Sequence, residues 1–179
     1  MALIKLNATQ GLTGTLPAVS GANLTNIDGG KILQVVQTVK SDTYYNSGST
    51  SFTDVTGLSA SITPSATSSK VLVLVEARIG SDGSQTSRLL RGSTVIYAGD
   101  SASNRPLGFG NSVDLNAYGV ENLVATFLDS PSTTSATTYK IQIISSGSAY
   151  YINRSKNDRD TAQYDPRTAS SITLIEIGA

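Results

Sequence analysis

The sequence contains neither histidine nor cysteine, although an enzyme could still be built from carboxylates, tyrosines and lysines. The usual general base, the commonest metal ligand, thiolate nucleophiles and disulfides are all excluded together. The densest charge lies in NRSKNDRDTAQYDPRT, residues 153–168, where Asn157, Asp158 and Asp160 could offer oxygen ligands to calcium. The glycine and distal glutamate of a calcium loop are missing there, and Lys156 and Arg159 would oppose the cation, so the stretch reads as a solvated charged loop. Glu76 and Glu176 fall on strand-like runs where a glycosidase-type carboxylate pair could sit, although ordinary outward-facing strand positions explain them more simply. Asp82 and Asp100 occupy Gly/Ser turns, where aspartate serves turn geometry alone. Gly108-Phe109-Gly110 has neither the Lys-Ser/Thr nor the strand-to-helix context of a phosphate loop. No metal and no cofactor is expected.

Tyrosines flank the charged loop. Tyr150, Tyr151 and Tyr164 stand near Arg154, Arg159 and Arg167, and exposed Tyr and Arg are the side chains that dominate partner-contacting patches. If buried, the same tyrosines would belong to the core or to a subunit seam, the reading that suits Tyr151 better. The candidate receptor or partner loop therefore comprises Tyr151, Arg154, Asn157, Asp158, Arg159 and Tyr164.

These residues must be held by strands. Roughly a quarter of the 179 residues are Ser or Thr, only 15% are charged, and there are 16 Gly and 8 Tyr, the composition of short strands joined by turns. The organising run is Lys70 to Ile79, KVLVLVEARI. Alternation puts Val71, Val73, Val75, Ala77 and Ile79 on one face and Leu72, Leu74, Glu76 and Arg78 on the other. Its first half is apolar on both faces, which predicts a central strand covered on both sides, by a second sheet and by a neighbouring subunit. Further strands are expected at Ile32–Val39, with Leu33, Val35 and Val39 on one face, at Phe52–Val55 and Leu58–Ile62 around Thr56-Gly57, and at Thr86–Arg91 and Ser93–Tyr97. Asn122–Leu128, Tyr139–Ile143, Ala149–Ile152 and Ser171–Ile177 complete the set. SDTYYNSGST at 41–50 reads as a polar turn region, GSDGSQ at 80–85 as the turn of a hairpin, and 99–119 as an irregular loop with Phe109 and Tyr118 as plugs. About nine or ten antiparallel strands without a helix predict an all-β, antiparallel β-sandwich of jelly-roll type.

Residues 1–30 differ from the β-sandwich domain at 31–179. Glycines and Pro17 punctuate singly spaced apolar residues, so the segment reads either as a flexible tail or as an extended arm whose anchors, Leu12, Leu16, Pro17, Val19, Leu24 and Ile27, drop into a groove on a partner. MALIKLNATQ lacks a signal-peptide pattern and no apolar run reaches the roughly 18 residues of a membrane span, so neither export nor membrane insertion is expected. Thirteen basic residues balance thirteen acidic ones, which gives no generic pull towards nucleic acid.

Two stretches carry a resemblance. GLTGTLPAVSGANLTNI resembles the leader of many tailed-phage fibre and tail proteins. The block GKILQVVQTVKSDTYYNSGSTSFTDVTGLSASITPSATSSKVLVLV, with FLDSPSTTSATTYKIQI, INRS and SSITLIEI, is similar to a C-terminal domain of marine phage structural proteins. The resemblance implies a non-enzymatic virion component, a homotrimer with its arm towards the particle and its β-domain outward. With one leader copy and no repeat shaft, it would be a short tail fibre or spike that presents loops to a host glycan or protein. A capsid decoration protein is the alternative, and a polysaccharide-degrading enzyme with paired carboxylates is the alternative of another class.

Overall fold

The run KVLVLVEARI extends into the longest strand of the molecule, and both layers are built around it. The computed structural model of the chain describes residues 31–161 and 163–178. Eleven strands are present among them: β1 (Ile32–Lys40), β2 (Tyr44–Asn46), β3 (Thr53–Ile62), β4 (Lys70–Ser81), β5 (Gln85–Arg91), β6 (Thr94–Tyr97), β7 (Gly110–Ser112), β8 (Glu121–Asp129), β9 (Thr137–Ser145), β10 (Tyr150–Ile152) and β11 (Ser170–Ile177). No helix occurs in the described residues. The first sheet runs β1-β11-β4-β10-β2, with β8 on the other side of β4; the second runs β3-β9-β5-β6, with β7 beside β5. All pairings are antiparallel, and the chain is all-β with two sheets in a sandwich-like arrangement.

The core follows from the period-two patterns. Val71, Val73, Val75, Ala77 and Ile79 of β4 are fully buried against Leu58 and Ile62 of β3 and Tyr139, Ile141 and Ile143 of β9, all in one apolar cluster. The outer face of the second sheet is polar: Arg88 and Gln142, Gln142 and Asp54, and Lys140 and Asp54 are joined side chain to side chain. It is an ordinary wet face.

Several expectations change. Phe52–Val55 and Leu58–Ile62 form one strand, β3, because the irregularity between Asp54 and Ser59 is a bulge that Gly57 accommodates at φ +81°. GSDGSQ does not close a hairpin: β4 and β5 belong to different sheets, so the turn carries the chain from one layer to the other. Asp82 N–H donates to the Ala149 carbonyl and Ser146 N–H to the Ser84 carbonyl, which pins the crossing. The polar stretch 41–50 contains β2, and the loop 99–119 contains β7. There Phe109 stacks on Tyr97 at 5.8 Å and does plug the core edge, while Tyr118 is exposed. Leu33, Val35 and Val39 do share one face, as their alternation predicted; it is the outer one, and Val36 is the β1 residue that packs on the core.

Candidate functional site

The charged loop is an excursion from an otherwise continuous strand. β10 and β11 lie end to end along β4, with Ile152 opposite Ile79 and Ser171 opposite Glu76. Along their other side lie β2 and β1, with Tyr44 opposite Ile152 and Lys40 opposite Ser170. Residues 154–169 leave the sheet at that seam and return to it.

Asn153 makes the exit. Its φ is +64°, and its buried amide Nδ2 donates to the carbonyls of Lys40 at 2.7 Å and Asp42 at 2.9 Å. Its Oδ1 accepts a 2.6 Å hydrogen bond from the hydroxyl of Ser170, and the Ser170 oxygen accepts the Arg78 N–H. One side chain thus joins both ends of the excursion to the break between β1 and β2. This residue was not singled out in the sequence; the one signal was an asparagine, the residue most tolerant of the left-handed region after glycine, directly after a strand.

The loop then crosses Gly80, where a Cβ would lie 2.5 Å from the Arg154 carbonyl oxygen. The glycine is required by close approach. Gly80→Ala is expected to lower stability by about 2 kcal/mol by lifting the loop, and urea denaturation with a normal midpoint would contradict that contact.

Within the loop charges are matched internally. The Asp165 side chain is enclosed and accepts hydrogen bonds from Ser155 Oγ at 2.6 Å and Arg159 Nε at 2.8 Å. The Ser155 bond, with the Arg159 guanidinium outweighing burial, holds its carboxyl below the usual range. Asp158, at φ +49°, meets Arg167 at 2.7 Å and Arg154 at 3.7 Å. Two guanidiniums at one carboxylate leave no inducement for a cation, and no cluster of acidic residues placed to hold a metal occurs among the described residues.

Arg159 lies 4.6 Å from the Tyr118 ring centre and 5.9 Å from that of Tyr164, and the two rings are 5.3 Å apart. Tyr164 keeps 55% of its surface open. Tyr151, by contrast, is buried in β10 between Tyr45 and the Arg154 guanidinium, and its hydroxyl donates to Asp82, which also binds Lys156. Burial, then the charge of Asp82, raises its phenol above the ordinary value. Asn157 is exposed, and its N–H donates to the Ala117 carbonyl. The candidate loop residues are therefore gathered, with Arg159 and Tyr164 outward and Tyr151 as a wall. The proposed arm anchors Leu12, Leu16, Pro17, Val19, Leu24 and Ile27 lie outside the described residues.

Glu76 and Glu176 do not meet. They project from opposite faces of one sheet, and Glu176 is opposite Val71, five residues along β4 from Glu76, roughly 17 Å at strand rise. Glu76 is outside, paired with Arg78 and accepting from Asn122. Glu176 is fully buried and accepts from Ser65 N–H, Ser65 Oγ and Gln34 Nε2 at 2.6–2.7 Å. Burial pushes its carboxyl up, but these three donors prevail and bring it to about 2.

Beyond the loop, the outer face of the first sheet carries an apolar patch, bordered by a rung in which Gln37, Thr173 and Thr126 flank Leu74. One rung across four strands consists of Val35, Ile175, Leu72 and Leu128. Leu33 and Ile177 extend it at one end; Leu74, Val39 and Val124 continue it at the other. No family model matches the chain, and no curated protein matches it either.

Proposed function

We propose that the protein is a non-enzymatic virion structural protein, the subunit of a homotrimeric short tail fibre or spike. Residues 1–30 attach it to other virion proteins, and a jelly-roll sandwich presents the 154–169 excursion to a glycan or protein of the host surface.

The excursion carries this reading. Of the five non-glycine residues at positive φ among those described, Asn153, Asp158 and Asp165 fall in it or at its mouth. Asn and Asp enter the left-handed region at least cost after glycine, and all three are braced by hydrogen bonds or ion pairs, so the excursion is held in one shape. The sandwich core gains nothing from sixteen residues held outside it. A partner that meets Tyr164, Arg159 and Arg167 in fixed positions does, because the ordering entropy has been removed before binding.

The test is adsorption. Particles assembled with Tyr164→Ala and Arg167→Glu together are expected to adsorb to host cells roughly tenfold more slowly, with unchanged incorporation of the protein. Adsorption at the unaltered rate would overturn the assignment of the loop.

A further inference from the structure

We infer that the apolar patch on the outer face of the first sheet is the contact surface between copies of this chain. The inference rests on the reading of the chain as an oligomeric subunit; it is independent of where a particle would carry it.

Nine aliphatic side chains from β1, β11, β4 and β8 share this face. Val35 and Val124 are each 58% exposed and Leu128 47%, and nothing among the described residues packs over them. The second sheet, made by the same chain, turns Arg88, Lys140, Gln142 and Asp54 to solvent instead. The asymmetry is a property of the sequence, since single exposed aliphatics need no explanation and a four-strand patch does.

The occupant follows from width and charge. Four strands at about 4.8 Å spacing and eight residues at about 3.4 Å give a face of roughly 500 Å². Two such faces remove roughly 1,000 Å² even as flat areas, which meets the lower threshold of about 1,000 Å² for a specific interface. Residues 1–30 carry Met1, Leu3, Ile4, Leu6, Leu12, Leu16, Val19, Leu24 and Ile27, but a single extended arm is about 4.8 Å wide and spans only one strand's width of a four-strand face. A second copy brings a face of equal width and the same β-pleat, and sheets stack on one another at about 10 Å. Of the charges on this face, Glu76 and Arg78 neutralise each other within the copy, and Lys70 stands at its end, opposite Ile177. A shallow hollow of about 470 Å³ on this face is lined by Leu74 and Val124 together with Gln37, Glu76, Thr126 and Thr173.

The experiment is light scattering on the eluted full-length chain at micromolar concentration, beside Val35→Glu and Leu128→Glu variants. The native chain is expected to elute as an oligomer, and each variant, folded by circular dichroism, to associate on the order of a hundredfold more weakly because a charge enters an apolar contact. A dimer dissolved by both substitutions would sustain this face as the contact and overturn the threefold part of the proposed function. A native monomer, or an oligomer that neither substitution weakens, would overturn the inference. Adsorption of particles reads the loop separately, so the two proposals fail by different results.

Discussion

Asn153→Ala is expected to lower stability by about 4 kcal/mol, the largest loss from any single polar side chain in the described fold. The substitution deletes two donated hydrogen bonds and one accepted bond, and leaves the Lys40 and Asp42 carbonyls without that donor. Bonds of this kind contribute about 1 kcal/mol each, and stranding buried partners costs more. Alanine must also take φ +64°, a further cost of about 1 kcal/mol that glycine does not carry. Asn153→Gly should therefore lie about 1 kcal/mol above Asn153→Ala, and both well below the native protein, in urea denaturation. If Asn153→Ala falls within about 1 kcal/mol of the native protein, the side chain does not hold the loop.

Glu176→Ala is expected to cost about 3 kcal/mol, because the Ser65 N–H and the Gln34 amide lose an ionised acceptor in a buried site. Its location explains the size: the carboxylate links β11 to β1 through Gln34 and to the β3–β4 connection through Ser65. The acid dependence has a definite sign. The native carboxyl titrates near 2, below its ordinary 4.5, so its contribution is complete above about pH 4.5 and is lost as pH falls towards 2. In Glu176→Gln that part of the acid sensitivity should vanish. A variant whose stability keeps falling in parallel with the native protein from pH 4.5 to 2 would show that another group is responsible.

Much of the sandwich was legible because period-two alternation reports burial directly. The alternation of Lys70–Ile79 separated the two faces of β4 correctly, with Val71, Val73, Val75, Ala77 and Ile79 together on the buried side. Leu72 and Leu74 were placed on the face of β4 opposite the core, as they are, yet Leu33, Val35 and Val39 gave no sign of which face they served. Alternation states that two faces differ, and only pairing with β11 decides that these residues join Leu72 and not the core. GSDGSQ was read as a hairpin for a related reason: turn chemistry is local, whereas the layer entered by the next strand depends on partners such as Ala149, far along the chain. The loop 153–168 was recognised by its charge, and its tyrosines by their neighbours. The bracing was not, because Asn153 reaches Lys40 and Asp42 more than a hundred residues away. The arm anchors and the partner itself were read from spacing and resemblance, and residues 1–30 are outside the described structure.

The most direct test of the account is the location of the loop on intact particles. Particles carrying a small peptide label within residues 153–168 should bind labelled antibody at the tail, in a number set by the oligomer. Label absent from particles, or distributed regularly over the head, would contradict a host-facing fibre or spike; the second result would make the protein a capsid decoration.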